Sequence, residues 1–243
     1  MTRKGFLKTT GVVIAFAAMI ATGMMSSTRL VRAHEDGGGD EGEEARIHRG
    51  LAIAPVHLNL EDKDRDLVGL GSYWVNAVAD CNGCHSAGPD TEYIIPTGNP
   101  YLLSPPFGGK QQVNPATYLR GGRDFGPFPP PPFPSIAHLY SRNLTPDHTG
   151  LPAGGRSFEE FRDIMRHGTD FDHLHPNCME GPGHPPNCLV APFNGDLLQV
   201  MPWPVYENMT DHDLRAIYEY LKAVPCNPGP NIEGAPYLQN ICE

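Results

Sequence analysis

Hydrophobic positions fall into one long block near the start and three short periodic stretches further on. Gly11 to Met25 are almost wholly apolar and follow the basic residues Arg3, Lys4 and Lys8. Asp64 to Asp80 carries Leu67, Leu70, Trp74, Ala77 and Cys81 at 3/4 spacing, which predicts a helix with acids at its N-terminus. Ser157 to His167 predicts a second helix. Ser157 and Glu160 form a capping box, Phe161, Ile164 and Met165 mark one face, and Gly168 occupies the C′ position. Thr210 to Val224 predicts a third, with Leu214, Ile217, Tyr218 and Leu221 on one face, Thr210 and Asp213 as cap, and Pro225 as stop. Between these stretches the pattern is that of loops, and no pair of strands stands out.

The first block has the layout of a secretory signal peptide over residues 1–33: basic start, apolar centre, and Val31 and Ala33 at the −3 and −1 positions of a cleavage site. The rival is an uncleaved membrane anchor. Fifteen helical residues span about 22 Å, short of the ~30 Å hydrocarbon core. Residues 2–8 (TRKGFLK) also resemble a degenerate twin-arginine signal, with Lys where the second Arg belongs. No apolar run is long enough for a polytopic membrane protein. Residues 34–60 are expected to form an acidic flexible linker, because 34–45 (HEDGGGDEGEEA) lacks any large apolar side chain. The body of the chain is 61–243, with extended loops over 86–200 and a C-terminal tail over 226–243.

Composition explains the loops. The 243 residues include 27 Gly and 26 Pro. Residues 125–134 (FGPFPPPPFP) exclude helix and central strand, since Pro lacks the N–H and fixes φ. Polyproline II is expected there, read either as a docking site for a Pro-recognising module or as a rigid strap with Phe125, Phe128 and Phe133 turned inward. Net charge is −10, and removal of 1–33 leaves 13 basic against 28 acidic side chains. That balance argues against a nucleic-acid binder, which clusters Lys and Arg to neutralise phosphates.

The chemistry lies in Cys81-Asn82-Gly83-Cys84-His85, a C-x-x-C-H motif. In an exported chain it reads as the attachment site of one covalent haem c. Two thiols two residues apart reach the two vinyl groups of a porphyrin, and His85 follows as the proximal iron ligand. Small Asn82 and Gly83 leave room for the macrocycle edge. A thioredoxin-like redox pair and half of a zinc site are the rivals. Neither requires the histidine, no βαβ pattern surrounds the motif, and no second C-x-x-C completes a zinc site.

The motif, the run from Gly71 to His85, and the blocks 143–147 (NLTPD), 149–151 (TGL), 158–161 (FEEF), 166–168 (RHG), 201–204 (MPWP) and 209–225 resemble monohaem class I cytochrome c domains. They are closest to those serving bacterial periplasmic dehydrogenases. The resemblance covers about 67–225 in the family's order. It implies a mostly α fold, class I cytochrome c-like, around one haem, here with long Pro/Gly-rich loop insertions. It implies first and last helices that cross beside the haem, where Gly71 would admit Tyr218 or Tyr220. It implies Asn143 and Thr145 near the haem propionates; a turn before Pro146 explains the same residues. The 116 positions from His85 to Met201 exceed what the smallest such domains need.

For the sixth ligand, Met165 reads as core, Met209 as a hydrophobic staple, and Met179 lies between two Cys. Met201 lies in a loop stiffened by Pro202 and Pro204, and the resemblance agrees with it. A His ligand and an open site are the alternatives. His/Met ligation leaves no room for substrate, so the expected role is one-electron transfer rather than enzymatic catalysis. A haem enzyme or gas-binding sensor with an open distal site is the alternative. The resemblance implies the periplasm, a dehydrogenase as donor and a cytochrome or oxidase as acceptor. A membrane tether enters only if the signal segment is retained.

Four Cys remain, and four allow three pairings. Proximity favours 178–188 and 226–242, the latter worth about 3 kcal/mol by loop-closure entropy. His173, His175, Cys178, His184 and Cys188 also form a cluster that could hold a metal in place of one disulfide.

Overall fold

The computed structural model describes residues 40–95, 98–102, 111–134, 137–179, 181, 185 and 187–243. The chain divides into two units, Met1–Gly42 and Glu43–Glu243. The signal segment expected over 1–33 lies outside the described residues. Among the described residues, no helix is long and apolar enough to cross a membrane.

Helix α1 spans Asp40–Ile53, inside the segment expected to be flexible linker. Its sequence carries little amphipathic signal, so the helix is held by a close approach instead. A Cβ on Gly50 would lie 1.9 Å from the Gly69 carbonyl oxygen, and the Ser72 hydroxyl donates to the Gly50 carbonyl at 2.7 Å. Residues 34–39 of the expected linker lie outside the described residues.

The first predicted helix is three pieces. Helix α2 spans Arg65–Tyr73 and starts at Asp64, whose carboxylate accepts from the backbone N–H of Asp66 and Leu67. A π-helical turn, Trp74–Val78, follows. Asp80 then takes a left-handed conformation, φ 48°, and a new short helix, α3, spans Cys81–His85. The wide turn and the break at Asp80 shift the motif out of the α2 register, so the 3/4 spacing of Cys81 with Ala77 is not one continuous face.

Helix α4 (Pro89–Glu92) is a single turn, and the short coil labelled α5 (Pro152–Gly155) is broken by Ala153 and Gly154 in left-handed conformation, φ 53° and 79°. Between them, β1 (Asp124–Phe128) and β2 (Ala137–Tyr140) pair antiparallel, with Pro127 opposite His138 and Phe128 opposite Ala137. The Pro-rich stretch is therefore part hairpin, which a two-stranded sheet tolerates because both strands are edges. Phe128 and Phe133 meet Phe193 edge-on, with ring centroids 5.0 and 5.2 Å away.

Helix α6 spans Phe158–His167 with both halves of the predicted capping box in place, and Gly168 ends it with φ 71°. Helix α7 is the single turn Trp203–Tyr206, and α8 spans Asp211–Ala223 from the Thr210 cap. Helices α2 and α8 cross at Gly71. A Cβ there would lie 1.9 Å from the Ala216 carbonyl oxygen and 2.7 Å from Tyr220 Cβ. Tyr220, rather than Tyr218, is thus the aromatic at the crossing. Around it lie Val68, Val75, Leu214, Ile217 and Leu221, all buried. Tyr218 instead packs on α6, with its ring 5.5 Å from Phe158 and 5.6 Å from Phe161.

The remaining cysteines pair as Cys178–Cys188 and Cys226–Cys242, which closes the two loops favoured by proximity. His184 lies outside the described residues. Among those described, no group of three or more His, Cys, Asp or Glu is placed to hold a metal ion.

Candidate functional site

Helix α3 is too short to stand alone, and neighbouring backbone holds it. The Asn82 side-chain oxygen accepts from the Leu119 N–H at 2.9 Å, the His85 carbonyl accepts from the Gly121 N–H at 2.7 Å, and the Arg123 guanidinium donates to the Gly83 carbonyl. Asn82 is therefore an anchor as well as a small residue. Leu119, Gly121 and Arg123 had no sequence signal, because two of them act through backbone atoms.

His85 is oriented by one bond: its Nδ1 lies 2.8 Å from the Arg142 carbonyl oxygen. A carbonyl only accepts, so Nδ1 carries the proton and Nε2 keeps a free lone pair. Burial holds this imidazole below its usual range, while the bond to Arg142 works the other way. Burial also pushes the Cys81 thiol up to about 12, and the nearby Asp80 carboxylate adds to the effect, so it is a neutral thiol at pH 7. Cys81 and Cys84 are unpaired, whereas the other four cysteines are in disulfides.

All three motif side chains line one cavity of about 290 Å³, and Met201 lines it too. Phe161, Ile164 and Met165 from α6 and Ile217 and Leu221 from α8 supply much of its apolar wall. Met201 is presented by a stapled loop. The Leu198 N–H donates to the Gly168 carbonyl at 2.7 Å, and Trp203 Nε1 donates to the Leu198 carbonyl at 3.1 Å. A Cβ on Gly168 would sit 2.3 Å from Trp203 Nε1, so glycine is needed there for packing as well as for its φ. Met165 lines the same cavity from the core, and Met179 is exposed and does not line it.

Arg142, Arg156, Asp170 and Asp172 of the lining are joined in a chain of ion pairs. Arg142 donates to Asp170 at 2.9 Å and to Asp172 at 2.6 Å, and Arg156 donates to Asp172 and, at 3.3 Å, to Glu160. The two guanidinium groups lie over the rings of Tyr237 and Phe171. Asn143 and Thr145 do not line the cavity. Their polar groups bond to each other and to Asn227 and Asn240 of the tail, which gives these two residues partners other than a cavity ligand.

The donor set fits a covalent haem c. It offers two free thiols three positions apart in the chain, an imidazole whose Nε2 is unprotonated, a thioether, and apolar walls.

No family model matches the chain, and no solved structure matches it significantly. Curated proteins do. The chain is similar to cytochrome c subunits of bacterial dehydrogenases. It is 30% identical over 102 residues to the gluconate 2-dehydrogenase cytochrome c subunit of Pantoea cypripedii, covering 42% of this chain and 18% of that protein. With the fructose dehydrogenase cytochrome subunit of Gluconobacter japonicus it shares 24% identity over 158 residues, 65% of this chain and 21% of the relative. The cytochrome c subunit of the quinone alcohol dehydrogenase of Gluconacetobacter polyoxogenes is 26% identical over 171 residues, 70% of this chain and 24% of the relative. The chain spans about a fifth of the length of these relatives.

Proposed function

We propose that this protein is a one-electron carrier of the monohaem class I cytochrome c type, in which Cys81 and Cys84 would hold a single haem c through thioethers and His85 and Met201 would ligate its iron. Bound there, the haem supplies reversible one-electron chemistry at iron. The observation that carries the reading is that Cys81, Cys84, His85 and Met201 all line one largely apolar cavity, with the His85 Nδ1 engaged by the Arg142 carbonyl. Cys81 and Cys84 hold the group in place, Arg142 orients His85, and the α6 and α8 side chains exclude water. With Met201 as a second iron ligand, no coordination position would be left for a substrate, which favours a carrier over an enzyme. The names of the relatives support a dehydrogenase as electron donor. The proposed path is periplasmic, on the strength of the signal segment expected over 1–33, and runs on to a cytochrome or oxidase acceptor.

Three measurements on the exported protein test this. Haem should resist acid-acetone extraction. The reduced protein should not bind carbon monoxide at once. Met201→Ala should lose the far-red charge-transfer band of a thioether-ligated ferric haem and lower the reduction potential, because Met ligation raises it. Freely extractable haem would overturn the attachment. Immediate carbon monoxide binding by the wild type would favour the enzyme or sensor with an open distal site. An unchanged spectrum and potential in Met201→Ala would remove Met201 as ligand.

A further inference from the structure

The carbonyl that receives the His85 Nδ1 proton belongs to Arg142, and the two polar residues beyond it are tied to the C-terminal tail. Asn143 is 3% exposed and Thr145 is 1% exposed. The Asn143 side-chain oxygen accepts from the Thr145 N–H at 3.0 Å and from the Thr145 hydroxyl at 2.8 Å, and its amide donates to the Asn227 carbonyl at 2.9 Å. The Thr145 hydroxyl accepts from the Asn227 N–H at 3.0 Å and from the Asn240 amide at 3.2 Å. One donor and two acceptor positions exhaust what a hydroxyl offers. The Asn240 amide also donates to the Thr145 carbonyl at 2.9 Å.

The tail that supplies these partners is closed on itself. Cys226 precedes Asn227, Cys242 follows Asn240 by two residues, and the disulfide joins them. Leu238 inside this loop is fully buried, and the Arg142 guanidinium lies 5.2 Å over the neighbouring Tyr237 ring. Arg142 is therefore fixed at its side chain by Tyr237, Asp170 and Asp172, and along its backbone by the Asn143–Thr145 turn.

We infer that Asn143 and Thr145 are positioning residues for the proximal ligand, with the disulfide-closed tail as the anchor that keeps the Arg142 carbonyl in line with His85 Nδ1. The inference rests on the haem reading above and deepens it. The hydrogen bond to a ligating imidazole fixes its tautomer and ring orientation and raises its basicity. Loosening that bond should weaken donation to iron and raise the reduction potential.

The test compares Thr145→Val, which keeps shape and deletes the hydroxyl, with Thr145→Ser, which restores it, in the full holoprotein. Two quantities are read: exchange of the His85 ring N–H with deuterium in the reduced, diamagnetic state, and the reduction potential. Thr145→Val should exchange at least tenfold faster, with a potential shifted upward, and Thr145→Ser should stay near wild type. Cys226→Ser with Cys242→Ser leaves the hydroxyl in place and should move both readouts in the same direction by less. It also keeps the question decidable should Thr145→Val fail to fold. Covalent haem with unchanged exchange and potential in Thr145→Val, or in the double cysteine variant if that is what folds, would overturn the positioning role alone. A wild type that releases its haem to acid-acetone would overturn the haem reading and this inference with it.

Discussion

Replacing Gly71 with alanine tests the helix crossing that frames the cavity. In a helix interior the change would ordinarily stabilise by about 0.5–1 kcal/mol, because alanine loses less backbone entropy than glycine. Here the new Cβ would lie 1.9 Å from the Ala216 carbonyl oxygen and 2.5 Å from its carbon. Ordinary contact begins near 3.4 Å, so α2 and α8 would have to separate by about 1.5 Å. Both obstructing atoms are backbone of a well-capped helix and cannot rotate away. A gap of 0.5–1 Å already forfeits a quarter to a half of the dispersion attraction between facing atoms. Overpacking of this kind costs about 1–3 kcal/mol, and the rigid backbone places Gly71 at the upper end. Net of the propensity gain, we expect Gly71→Ala to lower unfolding stability by about 2 kcal/mol. Denaturant unfolding of the holoprotein, followed by far-ultraviolet dichroism, measures this as a lower midpoint. Gly42→Ala serves as control, since a Cβ there meets nothing within 4 Å, and it should be neutral or slightly stabilising. Wild-type stability in Gly71→Ala would refute the crossing geometry.

Gly168→Ala should displace the Trp203 indole and strain a residue at φ 71°, at a cost of about 1–2 kcal/mol for the backbone alone. It should also weaken the far-red thioether band while covalent haem is retained, and an intact band would sever Gly168 from the Met201 loop. Ser157→Ala should destabilise by about 1 kcal/mol, read by thermal unfolding. The Ser157 backbone N–H holds the Glu160 carboxyl below the usual carboxylate range, with Arg156 adding to the effect. Its contribution is therefore complete above the ordinary carboxylate range and lost as pH falls through the lowered folded value. Glu160→Gln should flatten that acid limb of the stability profile, and an unchanged limb would assign the acid sensitivity elsewhere.

Much of this protein was legible in the sequence wherever the governing physics is local. The caps of α6 and α8 follow from side chains three residues from the backbone groups they satisfy. The C-x-x-C-H motif carries its chemistry in five adjacent residues, and the two disulfides join the cysteines nearest in sequence once those of the motif are set aside. Tertiary structure decided the rest. A hydrophobic pattern counts 3.6 residues per turn and does not register the wide π turn at Trp74–Val78, so α2 and α3 read as one helix. Helix α1 forms in a segment that composition marks as linker, because the close approach of Gly50 to Gly69 brings Ile47 and Leu51 of α1 against α2. The carbonyl that orients His85 belongs to Arg142, 57 positions away, and every residue has a carbonyl, so no residue type announces it. Asn143 and Thr145 were visible as unusual residues, but what they bind was set by a tail more than 80 positions further along the chain. Side-chain identity states what a group can donate or accept, and only the folded chain determines which partner arrives.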